Sequence, residues 1–156
     1  VDSDFSYEYF YFDQLAPCCN INRILRYVNN LRVVVVDRDP RDQYIESVLG
    51  HGEKFHPHDI DKFIIFYKKL RETAEKDGES SNVLRVRFED CIYHYDDTFA
   101  KINSFLGLDE AQHILPKSKF NPDISIKNTQ LWKKNAKYEK YVRKIEEYLD
   151  QYCYQY

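Results

Sequence analysis

The stretch Val33-Val34-Val35-Val36-Asp37-Arg38-Asp39-Pro40-Arg41-Asp42 decides the fold. Four consecutive β-branched residues favour an extended chain. With no polar residue alternating among them, they describe a strand apolar on both faces, as in a parallel sheet covered by helices. Pro40 cannot donate to a sheet ladder, but its fixed φ suits the first turn of a helix. The strand therefore gives way to a helix at once, leaving Arg38 at the strand's carboxyl end. Ligands of open α/β sheets bind there.

Downstream, the helix is expected to run to about Gly50, and Pro57 to open a longer one. In the latter, Ile60, Phe63, Ile64, Tyr67, Leu70 and Ala74 recur at helical spacing until Asp77-Gly78. Val83 to Phe88 reads as a second strand, and Thr98 to Leu106 as a helix closed by Gly107. A terminal amphipathic helix carries Tyr138, Tyr141, Val142, Ile145, Tyr148, Leu149 and Tyr152. Upstream, Phe5, Tyr7, Tyr9 and Tyr11 alternate with polar residues as in an edge strand. Asn20 can cap a short helix carrying Ile21, Ile24, Leu25 and Val28, ended by Asn29-Asn30. Strands alternating with helices predict an α/β fold with a parallel central sheet. No repeat or linker divides residues 1–156, so a single domain is expected.

Composition narrows the function. A hydrophobic fraction of 43% with only four glycines among 156 residues excludes a disordered chain. Fourteen tyrosines and ten phenylalanines supply much of the apolar volume, so many tyrosine hydroxyls must be wet or bonded at the core's edge. A net charge of −3 gives no footprint for nucleic acid or an anionic membrane surface. No apolar run reaches membrane-spanning length, and no membrane insertion of this segment is expected. Cys18, Cys19, Cys91 and Cys153 lack the paired spacing of a zinc knuckle; they read as reduced thiols, with Cys91 buried after a strand, in a cytoplasmic protein. His51, His56 and His58 are spaced poorly for a metal, and either line an approach to a site or cap the long helix. No metal is expected.

The cluster around Pro40 has two readings. Asp39 and Asp42 can pair with Arg38 and Arg41 as an ordinary capping cluster. Alternatively, Arg38 presents its guanidinium fork to a phosphate or sulfate. The segment VVVVDRDPRD resembles the strand and Arg-x-Pro-x-Asp turn with which sulfotransferases using 3′-phosphoadenosine 5′-phosphosulfate (PAPS) bind the cofactor's 3′-phosphate. The later VLRVRFEDCIYHYDDTFAKINSFLGL is similar to that family's second signature, an apolar strand, an aromatic-Glu-Asp step and a helix ending in Phe-Leu-Gly. The two stand in the family's order and spacing, and with FDQLAP the chain looks closest to bacterial enzymes that sulfate polysaccharides or other glycans.

The resemblance implies a P-loop-NTPase-like sulfotransferase fold, PAPS as sulfuryl donor, and a hydroxyl or amine acceptor on a glycan. It implies Arg38 as the 3′-phosphate ligand and Phe88 as the aromatic beside adenine. The family's phosphate-binding serine falls at Glu46, whose charge would repel phosphate; Ser47 is the neighbouring candidate, about 100° further round the helix. The segment KSKFNPDISIKNTQLWKK is the counterpart of a loop that closes over the nucleotide. There Lys117, Lys119, Ser125, Lys127 and Asn128 are candidate donors, and Trp132 anchors the loop or flanks the acceptor. Asp13 lies where the family places a general base, although it could equally brace the turn before Pro17.

A sulfotransferase also grips the 5′-phosphosulfate with a strand, a loop and a helix that bear glycine and lysine. No such loop precedes Val33, and Gly50 is the first glycine. With Val1 opening a chain without methionine, this predicts the C-terminal part of a sulfotransferase domain, inactive alone. A binding or interaction module that keeps the fold without the donor loop is the alternative. A nucleotide kinase is disfavoured by the Phe88-Glu89-Asp90 step and the Phe105-Leu106-Gly107 helix end.

Overall fold

The computed structural model describes residues 21, 27–51, 56–76, 80–109 and 117–156. These form a mixed α/β structure, mostly helical, around a two-stranded parallel sheet. β1 (Val33–Asp37) pairs with β2 (Val83–Arg87) from Val33 opposite Val83 to Asp37 opposite Arg87. Both strands therefore end at the same level, and the residues that follow them, Arg38 and Phe88, enter one region. Val35 and Val86 are buried, whereas Val36 is 53% exposed, so among the described residues the run is not covered on both faces as expected.

α1 (Pro40–Glu46) opens with Pro40 at its first position, and the Asp39 carboxylate accepts from the Arg41 amide at 2.8 Å. It passes into a π turn over Ser47–His51. The long helix α2 (Ile60–Lys76) starts three residues after Pro57, because Asp59 caps it by accepting from the Lys62 amide at 3.0 Å. β2 stops one residue earlier than expected. Phe88 is instead the first residue of α3 (Phe88–Tyr93), and α4 (Tyr95–Leu106) begins ahead of Thr98. Gly107 ends α4 with φ of 73°, the left-handed cap its position in the sequence predicts.

The C-terminal third holds α5 (Pro122–Ser125), a 3₁₀ turn over Ile126–Asn128, α6 (Leu131–Lys134) and α7 (Glu139–Leu149). α5 is capped by Asn121, which accepts from the Asp123 amide at 2.9 Å. The core lies where α1, α2 and α7 meet: Tyr44, Ile45, Phe63, Tyr67, Val142, Ile145 and Leu149 are buried together. The tyrosines obey the expected rule. Their rings pack inside while Tyr44 donates to the His58 carbonyl at 2.9 Å and Tyr67 to the Arg38 carbonyl at 3.3 Å. Of the four cysteines, Cys91 and Cys153 are buried free thiols, and burial pushes them up to about 11 and about 12. Cys18 and Cys19 lie outside the described residues, as do Asp13, the extended segment at Phe5 to Phe12 and most of the first helix. Among the described residues no helix is long and apolar enough to cross a membrane, and no group of His, Cys, Asp or Glu is arranged to hold a metal.

Candidate nucleotide site

Arg38 leaves β1 and turns toward three other parts of the chain. Its Nη1 pairs with the Glu46 carboxylate from the end of α1, and its Nη2 donates to the Asn128 carbonyl at 2.7 Å. The guanidinium carbon stands 5.1 Å from the centre of the Phe88 ring, close enough for a cation–π interaction. Arg38, Phe88 and Asn128 thus come together, although Asn128 contributes its backbone carbonyl, an acceptor, where a donor was expected. Phe88 in turn meets Phe120 edge-on at 6.1 Å, and Phe120 lies 6.5 Å from Tyr95 and 6.0 Å from Phe99. Phe120 and Tyr95 are members of this aromatic group that the sequence did not reveal, since neither falls in a periodic pattern with Phe88.

The rest of the charged cluster is structural, and its pairing differs from the simplest expectation. Arg41, not Arg38, pairs with Asp39, with Nη2 to Oδ2 at 2.6 Å, and also with Glu146 at 2.8 Å. Burial works against the Arg41 charge, but the two carboxylates outweigh it and hold the group above its ordinary value. Its guanidinium also covers the Trp132 ring at 4.4 Å, so Trp132 anchors the loop against α1. Asp37 binds Arg71 at 2.5 Å and Arg85 at 3.6 Å. Among the described residues Asp42 pairs with no arginine; it is fully buried and accepts from the Gln130 and Leu131 amides at 2.8 and 2.6 Å. Glu89, also fully buried, accepts from the Asp39 amide at 3.0 Å and so ties the α3 start to the turn after β1. Burial raises both carboxyl groups above their ordinary range, against the hydrogen bonds from those amides.

The remaining candidates divide. Ser47 is buried and its hydroxyl donates to the His56 carbonyl at 3.4 Å, so it is Glu46 that reaches Arg38. One step round the helix has indeed changed the partner. Lys127 is exposed on the loop, and its carbonyl accepts from the Lys134 ammonium at 3.0 Å. Lys117, Lys119 and Ser125 make no hydrogen bond to Arg38; Lys117 stands over Tyr95 at 5.4 Å. His56 meets the Gln43 amide nitrogen at 2.9 Å, and burial lowers its pKa despite the nearby Glu46. Asp13 falls outside the described residues.

A phosphate fits this surroundings in one respect and is opposed in another. Arg38 Nε is buried without a hydrogen-bond partner among the described residues, a donor that an anionic oxygen would satisfy. Glu46 occupies the other edge of the fork, and its side chain is 39% exposed, which leaves it room to turn into water. A separate cavity of about 130 Å³, lined by Asp37, Arg85, Val86, Arg87, Asp90, Thr98 and Lys101, includes neither Arg38 nor Phe88. It is below the roughly 300 Å³ at which small-molecule pockets begin. Comparison with protein-family models, curated proteins and solved structures finds no match.

Proposed function

We propose that this chain forms the 3′-phosphate and adenine side of a PAPS site, and that its activity is transfer of a sulfuryl group to a hydroxyl or amine of a glycan-type acceptor. The observation that carries the reading is the meeting of Arg38, Phe88 and Asn128, brought together from three distant segments. In this reading the two strands belong to a P-loop-like sulfotransferase fold. Arg38 gives the 3′-phosphate its positive partner through Nη1, the position that Glu46 vacates. Phe88, backed by Phe120, offers a ring face to adenine. Asn128 and Lys127 close the loop side, Lys127 as an exposed cation. PAPS supplies the sulfuryl group, with the S–O bond to its 5′-phosphate broken as the bond to the acceptor forms. Asp13 is the candidate base for the acceptor's proton.

The Glu46 pair favours a second reading. A carboxylate already neutralising Arg38 does the work of the phosphate, and a module with that pair need not bind nucleotide at all. Calorimetric titration of 3′-phosphoadenosine 5′-phosphate and of AMP separates the two. The first reading expects the 3′-phosphorylated ligand to bind at least about tenfold tighter, the scale of one charge-assisted contact, and the preference to vanish in Arg38→Ala. Equal binding of both ligands by the unsubstituted protein overturns it.

A further inference from the structure

The loop that reaches Arg38 is held in place by a group on the opposite side of the loop. Asn128 ends a 3₁₀ turn, Thr129 is buried, and Gln130 has φ of 52°, a left-handed conformation that side chains other than glycine adopt only under constraint. The two amides that follow this turn, Gln130 and Leu131, both point at Asp42, one to each carboxylate oxygen. Two charge-assisted hydrogen bonds donated by these amides to a fully buried carboxylate supply that constraint. On the loop's outer side the Tyr93 hydroxyl meets Thr129 Oγ1 at 2.7 Å, and Lys134 reaches the Thr129 carbonyl at 3.3 Å.

The last residues of the chain complete the arrangement. Tyr156 donates its hydroxyl to Asp42 Oδ2 at 3.1 Å, and its ring meets Tyr93 edge-on at 5.7 Å. Tyr154 is fixed at three points: its amide donates to Asp39 at 3.1 Å, its carbonyl accepts from Arg41 at 2.9 Å, and its hydroxyl donates to Asp90 at 2.7 Å. The tail thus lies over the buried carboxylate that orders the loop, and removes it from water.

We propose that Asp42 is a positioning residue for the nucleotide site, holding the Asn128 carbonyl against Arg38 through the Gln130 and Leu131 amides, with the Tyr154–Tyr156 segment as the strap that seals this anchor. The inference rests on the nucleotide reading above, and it adds that affinity for the 3′-phosphate depends on residues that never touch the ligand. Replacement of Asp42 by asparagine keeps the size but sets an NH₂ group against one of the two amides.

Hydrogen exchange without ligand reads the anchor itself. In Asp42→Asn the Gln130 and Leu131 amides should exchange roughly ten- to a hundredfold faster, the scale of losing one or two charge-assisted hydrogen bonds. Trp132, the only tryptophan, should become more accessible to acrylamide. Tyr156→Phe keeps the ring and removes one hydrogen bond; it is the variant to rely on if Asp42→Asn fails to fold, with about a threefold acceleration of the same amides expected. Calorimetry reads the consequence: 3′-phosphoadenosine 5′-phosphate should bind about tenfold more weakly to Asp42→Asn, with AMP unchanged. Unaltered exchange at Gln130 and Leu131 in the folded variants overturns the inference. So does an intact 3′-phosphate preference in Asp42→Asn when Arg38→Ala abolishes it. If Arg38→Ala leaves the preference intact, the nucleotide reading fails instead.

Discussion

Glu46→Ser should convert Arg38 from a paired cation into one free to take a phosphate. Glu46 supplies the carboxylate on Arg38 Nη1, and the two side chains are 39% and 17% exposed, so the pair is neither buried nor fully hydrated. A pair this exposed contributes about 1 kcal/mol or less. A phosphate bound at Arg38 would stand about 5 Å from the Glu46 charge. Repulsion there is about 1 kcal/mol per unit charge in water and about 3 kcal/mol at an effective dielectric constant of 20. Partial exposure lets Glu46 turn away and places the cost near the lower figure per charge; a phosphate of nearly two negative charges makes this about 2 kcal/mol, so removing Glu46 should gain ~30-fold in Kd. Calorimetry with 3′-phosphoadenosine 5′-phosphate and AMP at low and physiological salt is the assay. Only the 3′-phosphorylated ligand should gain, and the gain should shrink with salt. An equal gain for AMP, or none for either ligand, would refute the reasoning that Arg38 faces the 3′-phosphate.

Two further outcomes concern the scaffold. Ile145→Ala removes a fully buried side chain from the junction of α1, α2 and α7 and should cost about 2–5 kcal/mol in urea unfolding; a loss below 1 kcal/mol would show that this junction is not the core. Glu89 makes stability depend on pH. Because burial raises its folded-state pKa above the ordinary 4.5, the folded form holds a proton that the unfolded chain has released, and stability falls as pH rises through that window. Glu89→Gln removes this dependence, so its stability relative to the unsubstituted protein should improve from pH 4 toward neutrality. A difference that stays constant with pH would count against the assignment.

The local elements were legible where one residue type dominates its own neighbourhood. The valine run and Pro40 specify β1 and the start of α1, the apolar spacing specifies α2 and α7, and Gly107 specifies the end of α4, because backbone sterics and amphipathic periodicity act within a few residues. Element ends were less so. Phe88 fits a strand pattern equally well, yet it opens α3, whose second residue, Glu89, is tied to the Asp39 amide 50 positions away.

The site divides in the same way. Arg38 could be picked out from the chain, since a charged residue between an apolar strand and Pro40 is a local feature, whereas Phe88 and Asn128 were singled out only through the resemblance to sulfotransferase motifs. The partners could not. Whether Arg38 meets Glu46 or Ser47 depends on the angle at which α1 leaves the sheet, and the attachment of Asp42 to Gln130 and Leu131 joins a helix to a loop through backbone amides. Such amides carry no side-chain signature. The sequence by itself determined which segments become strands and helices and where their charges stand. Tertiary structure alone decided which charge meets which donor, because a buried carboxylate must find its hydrogen bonds wherever packing brings them.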